Sequence, residues 1–195
     1  MLRKAVAALT YGALFASFAV AQEDYTRFRS EATAQALGSF VKQTNSKGVE
    51  QDATNSGGVL GSYRFFFDRH NGVEVNYGYM DNTQKYGQGR VDTNAHEFSA
   101  AYILQFPRKR WSPFVLAGTG GLVFDPKDTI GASTQTRAAF LYGGGADFNL
   151  TDHLFVRGEY RGFIYNSPAY DLTAWSGLDR ITHRAEPSVG FGWRF

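Results

Sequence analysis

Four histidines, His70, His96, His153 and His183, are the side chains through which this 195-residue, cysteine-free chain would do acid–base or nucleophilic chemistry. Acyl transfer or hydrolysis needs a base such as His beside a hydroxyl nucleophile, with an acid to orient the base. The run His96-Glu97-Phe98-Ser99 holds all three residue types. In an extended segment, however, His96 and Ser99 are three residues apart and point to opposite faces, so the geometry fails. His70 and His153 stand in tight polar turns, where a solvated role is favoured. The Asp and Asn residues of Lys42 to Gly57 and Asp81 to Asn94 lack the fixed spacing of an EF-hand, and no metal is expected. Gly118, Gly120, Gly121 and the triplet Gly143 to Gly145 do not open a helix, so they make no phosphate cradle and no cofactor is expected. Small residues on adjacent strands serve sharp sheet curvature instead.

The remaining chemistry is ionic. Beyond Gln22 the apolar pattern has period two, and turn-forming clusters divide it into eight segments near residues 28–41, 58–67, 72–80, 95–106, 113–124, 137–150, 153–165 and 182–195. Val73, Val75, Tyr77 and Tyr79 oppose Glu74 and Asn76; Leu154, Val156, Gly158, Tyr160 and Ile164 oppose Arg157, Glu159 and Arg161. Val59, Tyr63, Phe65 and Phe67 oppose Ser62 and Arg64, and Phe98, Tyr102, Leu104 and Phe106 oppose Glu97, Ser99 and Gln105. Val189, Phe191, Trp193 and Phe195 oppose Ser188, Gly190, Gly192 and Arg194. One face is greasy and the other charged, with each segment close to the 9 to 11 residues, or slightly more, of a tilted membrane-spanning strand.

Connections decide which solvent meets the greasy face. Asp68 to Gly72, Pro107 to Ser112 and Thr151 to His153 are short. Lys42 to Gly57, Asp81 to Asn94, Asp125 to Thr136 and Asn166 to Ile181 are long and polar, and short and long alternate throughout. Outer-membrane barrels pair tight periplasmic turns with long outward loops in this way. Aromatic residues gather at strand ends, Phe67, Phe106, Trp111, Phe114, Phe155 and Trp193 toward the short turns and Tyr79, Tyr86, Phe124, Phe140 and Tyr165 toward the long connections, as two interfacial girdles would require. A soluble lipocalin-like barrel would instead hold an apolar interior and turn the charges outward.

Length and composition suit one domain: 43% hydrophobic, 16% aromatic, 19% charged and 22 Gly. A mean hydropathy of −0.32 leaves no room for a bundle of membrane helices, each of which needs about 20 consecutive apolar residues. The start of the chain reads as a cleaved export signal: Arg3 and Lys4, an apolar stretch from Ala5 to Phe18, and Ala19-Val20-Ala21 before Gln22. Residues 1–21 are therefore expected to be removed and 22–195 to form the barrel domain. Loss of Arg3 and Lys4 takes the 20 basic residues to 18, equal to the 18 acidic ones, so the sequence pI says nothing about nucleic acid, and no nucleic-acid partner is expected.

The terminal strand Pro187-Ser188-Val189-Gly190-Phe191-Gly192-Trp193-Arg194-Phe195 carries a family resemblance, as do Gly143-Gly144-Gly145-Ala146-Asp147-Phe148 followed by Leu150-Thr151-Asp152-His153, and Val156-Arg157-Gly158-Glu159-Tyr160-Arg161. The mature chain resembles the small OmpA/OmpX-type outer-membrane barrels over essentially its whole length. The resemblance implies an all-β, eight-stranded, antiparallel up-and-down transmembrane barrel in the bacterial outer membrane, in contact with outer-membrane lipid and lipopolysaccharide. It also implies that Val189, Phe191, Trp193 and Phe195 form the signal read by the barrel-assembly machinery. Roles such as envelope integrity or adhesion follow as expectations, with four outward loops as the variable surface and no ligand named by them; a monomer is expected.

Eight strands leave an interior just wide enough for side chains. Arg64, Glu74, Glu97, Asp147, Arg157, Glu159, Arg161, Glu186 and Arg194 are accordingly expected to form a lumen lattice of salt bridges. Two other readings compete: a narrow pore for ions or small solutes through this lumen, and a lipid A acyl hydrolase or transferase. The run Arg108-Lys109-Arg110 is read as holding its turn in the interface or periplasm, with lipid head-group contact secondary.

Overall fold

A strand with one greasy and one ionic face has no stable edge in hydrocarbon, because every unpaired amide there costs several kcal/mol, and closure removes the edge. The computed structural model describes residues 28–41, 44–46, 49–53, 56–86, 89–126, 134–166 and 181–195. The expected signal segment, residues 1–21, lies outside them. Strands run β1 (Ser30–Val41), β2 (Thr44–Ser46), β3 (Val49–Ala53), β4 (Ser56–Phe66), β5 (Asn71–Tyr86), β6 (Gly89–Gln105), β7 (Trp111–Pro126), β8 (Gln135–Asn149), β9 (Leu154–Asn166) and β10 (Ile181–Arg194). The sheet order β5-β4-β1-β10-β9-β8-β7-β6 returns on itself through β5–β6 pairing, and every pairing is antiparallel. Eight strands thus close an up-and-down barrel. The seam between the ends is tied by Ser30 N donating to Phe195 O at 3.2 Å and Phe195 N to Ser30 O at 3.0 Å.

Two expectations about connections are corrected. Asp81 to Asn94 is not a long loop: β5 and β6 pair as far as Tyr86 opposite Gly89. Within Lys42 to Gly57, β2 and β3 form a hairpin that extends the sheet, Gln51 pairing with Tyr86. Runs such as Asp81-Asn82-Thr83-Gln84-Lys85 lack the apolar alternation of the other strands, yet the backbone ladder continues through them. The middles of the other two long connections, 127–133 and 167–180, lie outside the described residues.

The greasy face points outward, with Val189, Phe191 and Trp193 58%, 62% and 51% exposed. Ionic side chains point inward and are buried. The short connections are closed by local hydrogen bonds. In the β4–β5 turn, Asp68 Oδ1 accepts from the backbone N–H of His70 at 2.7 Å and of Asn71 at 2.9 Å. Burial alone would raise the Asp68 carboxyl, but these donors and the Asn71 amide hold it below the ordinary carboxylate range. Its stabilising contribution is therefore complete above the unfolded-state value of about 3.9 and is lost as pH falls through the lower folded-state value. Asp68→Asn, which keeps the acceptor oxygen, is expected to flatten the acid limb of the urea-midpoint profile below about pH 4. An acid limb identical to that of the parent chain would refute this.

Candidate functional site

Alternation along eight strands delivers all nine expected lattice residues to the lumen; eight are buried and Arg194 is half-buried. Register then sets opposite charges side by side: Arg64 faces Glu74 across β4–β5, Asp147 faces Arg157 across β8–β9, and Arg161 faces Glu186 across β9–β10. Arg64 Nε pairs closely with Glu74 Oε2. Arg157 reaches Asp147 Oδ1 at 2.6 Å and Glu31 Oε2 at 2.8 Å, and Arg194 reaches Glu31 Oε1 at 2.7 Å. Gln105 Nε2 donates to Asp147 Oδ2 at 3.0 Å. These groups form a network at the short-turn end.

A second, closed ring lies toward the long connections. Arg161 Nη2 sits 2.8 Å from Glu97 and 3.1 Å from Glu186; Arg184 sits 3.0 Å from Glu97 through Nη2 and 2.6 Å from Glu186 through Nε. Beyond this ring the lumen becomes apolar, with Met80, Ala95, Leu122, Phe124, Ala139 and Leu141 all buried. At the opposite mouth a cavity of about 500 Å³ opens among Phe28, Glu31, Phe66, Gln105, Ser112 and Arg194.

Glu31 and Arg184 are members of these networks that the sequence reading missed. The nearest arginine to Glu159 is Arg64, at 3.8 Å, and Glu159 accepts from Gln35 Nε2 at 3.4 Å. Together the networks hold six carboxylates, Glu31, Glu74, Glu97, Asp147, Glu159 and Glu186, against five guanidiniums, Arg64, Arg157, Arg161, Arg184 and Arg194.

Four aromatics assigned to the interfacial girdles belong here instead. Phe114, Phe155, Phe124 and Tyr165 point inward and are buried. Phe114 and Phe155 lie beneath guanidiniums, Arg64 at 3.9 Å from the Phe114 centroid and Arg194 at 4.4 Å from that of Phe155. Phe124 stacks on Tyr165 at 6.1 Å. A guanidinium removed from bulk water is favoured by an aromatic face, which explains why Phe114 and Phe155 share the charged side. Phe67, Phe106, Trp111, Trp193 and Phe140 do face outward, whereas the side chain of Tyr86 lies outside the described residues.

The histidine and the serine of the His96-Glu97-Phe98-Ser99 run do not meet. His96 lies on the outer face, 3.0 Å from Tyr77 OH through Nδ1, while Ser99 is buried inside. His183 Nε2 lies 2.8 Å from Tyr142 OH, two strands away. Tyr142 spans that gap over Gly162, where a Cβ would lie 2.5 Å from its ring. Among the described residues no group of three or more His, Cys, Asp or Glu is placed to hold a metal ion. The four residues expected to form the assembly signal, Val189, Phe191, Trp193 and Phe195, share the exposed face of the last strand.

A family model for the outer membrane protein beta-barrel domain matches residues 6–195. The chain belongs to this outer-membrane barrel family. It is accordingly a protein of the bacterial outer membrane. Solved structures agree on the fold. Ail, the attachment invasion locus protein of Yersinia pestis, is 18% identical with a TM-score of 0.53, the match covering 87% of this chain and 100% of Ail. Neisserial surface protein A is 15% identical with a TM-score of 0.63, over 85% of this chain and 97% of that one. OprG of Pseudomonas aeruginosa is 13% identical with a TM-score of 0.64, over 86% and 96%. No curated protein matches the sequence. At such identities the neighbours establish the barrel architecture alone and say nothing of what this chain binds.

Proposed function

We propose that this family member is a sealed, non-enzymatic barrel whose role is structural and surface-interactive, contributing to envelope integrity or adhesion through its four long connections. The observation that carries the reading is the occupancy of the lumen: two ionic networks, one at the short-turn end and one ring farther along, fill it together with buried apolar side chains, and apolar side chains close it beyond the second ring. An ionic lattice of this kind supports shape and specificity, and an apolar constriction opposes wetting. The cavity at the short-turn mouth is a vestibule in this reading rather than the entrance of a pore. Residues 1–21 act as the cleaved export signal, and the outer face of β10 acts as the signal for the barrel-assembly machinery. The inserted protein is a monomer with its short turns in the periplasm.

Ail has been solved in complex with the heparin analogue sucrose octasulfate. The long connections here carry six basic residues (Lys42, Lys47, Lys85, Arg90, Lys127, Arg180) and eight acidic ones (Glu50, Asp52, Asp81, Asp92, Asp125, Asp128, Asp171, Asp179), which favours no polyanion. Two measurements test the reading. Planar bilayers carrying the folded barrel are expected to show no stable, selective conductance, and such a conductance would establish the pore instead. Protease shaving of intact cells should cut within the long connections and spare Asp68 to Gly72, Pro107 to Ser112 and Thr151 to His153; cuts confined to those short turns would invert the orientation.

A further inference from the structure

We propose that the turn from Phe106 to Trp111 is a binding site for the head group of an anionic phospholipid in the periplasm-facing leaflet. This rests on the orientation above, with the short turns at the periplasmic boundary. Arg108, Lys109 and Arg110 are consecutive and exposed, and none of the ion pairs between described residues engages them. The turn is not loose: Phe106 N donates to Pro113 O at 2.8 Å, and Arg110 O accepts from Asn149 N at 2.9 Å. Arg108 stacks its guanidinium 5.3 Å from the centre of the Trp111 ring, which turns the cation toward the barrel's outer surface. Directly along that surface run Trp111, Val115 and Phe148, 47%, 53% and 50% exposed.

Arg108 therefore caps an apolar strip at the level where acyl chains give way to phosphate, with Lys109 and Arg110 exposed beside it and Arg108 and Lys109 also bordering the mouth cavity. That is the chemistry of a lipid carrying net negative charge: phosphate oxygens meet guanidinium donors, and acyl chains meet the rings below. Lipopolysaccharide phosphates belong to the opposite leaflet. A zwitterionic lipid offers the same acyl contacts but sets an ammonium against the cations, so preference for net charge is the signature of the site.

Trp111, Trp175 and Trp193 are the only tryptophans, so W175F/W193F leaves Trp111 as the single reporter. This chain, folded into phosphatidylcholine vesicles, is quenched with a small fraction of brominated phosphatidylglycerol or brominated phosphatidylcholine. Quenching by the anionic lipid is expected to exceed that by the zwitterionic one several-fold, to weaken in high salt, and to become equal in a chain also carrying R108Q, K109Q and R110Q. Equal quenching in the parent reporter chain, or an excess that survives the triple substitution, overturns the proposal while leaving the barrel reading intact. Failure to insert into either vesicle overturns the membrane reading itself and this site with it.

Discussion

Arg157→Ala is expected to destabilise the folded barrel by about 3–5 kcal/mol, seen as a lowered urea midpoint in vesicles and a lower temperature of conversion to the slow-migrating gel form. The side chain sits where three strands' charges converge: Asp147 at 2.6 Å, Glu31 at 2.8 Å and Glu74 at 3.8 Å. All three carboxylates are buried, Glu31 lining the mouth cavity and Asp147 and Glu74 deeper, so truncation leaves them with less compensation where solvation is poor. That stranding, more than the lost attraction, sets the size of the effect. Glu159 is the internal control. Its nearest guanidinium is 3.8 Å away, and it belongs to networks holding one carboxylate more than they have guanidiniums. Glu159→Gln keeps the shape and removes the surplus charge, so its midpoint is expected to move by less than about 1 kcal/mol. A fall as large as that of Arg157→Ala, or an unchanged Arg157→Ala midpoint, would show that packing rather than charge balance holds the lumen together.

The faces of this barrel were legible because hydrocarbon outside and ions inside force a strict alternation. That contrast puts Arg64, Glu74, Glu97, Arg157, Glu159 and Arg161 on one side from the residue pattern alone. It failed at Glu31 because the outward residues beside it are Ala32, Ala34 and Ala36, which supply no greasy face to read against. Around Arg184 the outward neighbours His183 and Ala185 blur it in the same way. The misplaced aromatics had a usable signal: Phe155 shares parity with Arg157, and Phe114 with Ser112. Their position near strand ends, read as a girdle, outweighed that parity. Which arginine meets which carboxylate was not legible, because register depends on turn length and strand stagger rather than on composition. The apolar part of the lumen was hidden for a related reason, since an inward Leu122 or Leu141 resembles an outward one until the strand's partner is known.

Gly190→Val is expected to do the greatest damage of any single change on β10, preventing recovery of the compact gel form or lowering the unfolding midpoint by more than about 3 kcal/mol. Gly190 lies on the inner face opposite Gln35, in the β1–β10 pairing that completes the cylinder. A Cβ there would lie 2.1 Å from the Ala34 carbonyl oxygen and 2.5 Å from the Gln35 Cα, both backbone atoms that cannot swing aside. Relief requires β1 and β10 to separate, and separation at a seam exposes paired amides to hydrocarbon. Gly158 makes the matched comparison one strand away: it is paired with Val189, points to lipid, and a Cβ there meets nothing within 4 Å. Gly158→Ala should therefore be neutral or stabilising by about 0.4–1 kcal/mol through the unfolded chain. If the two substitutions lowered the midpoint equally, glycine would matter in these strands for backbone freedom alone. Close approach of β1 to β10 would then not be what closes the barrel.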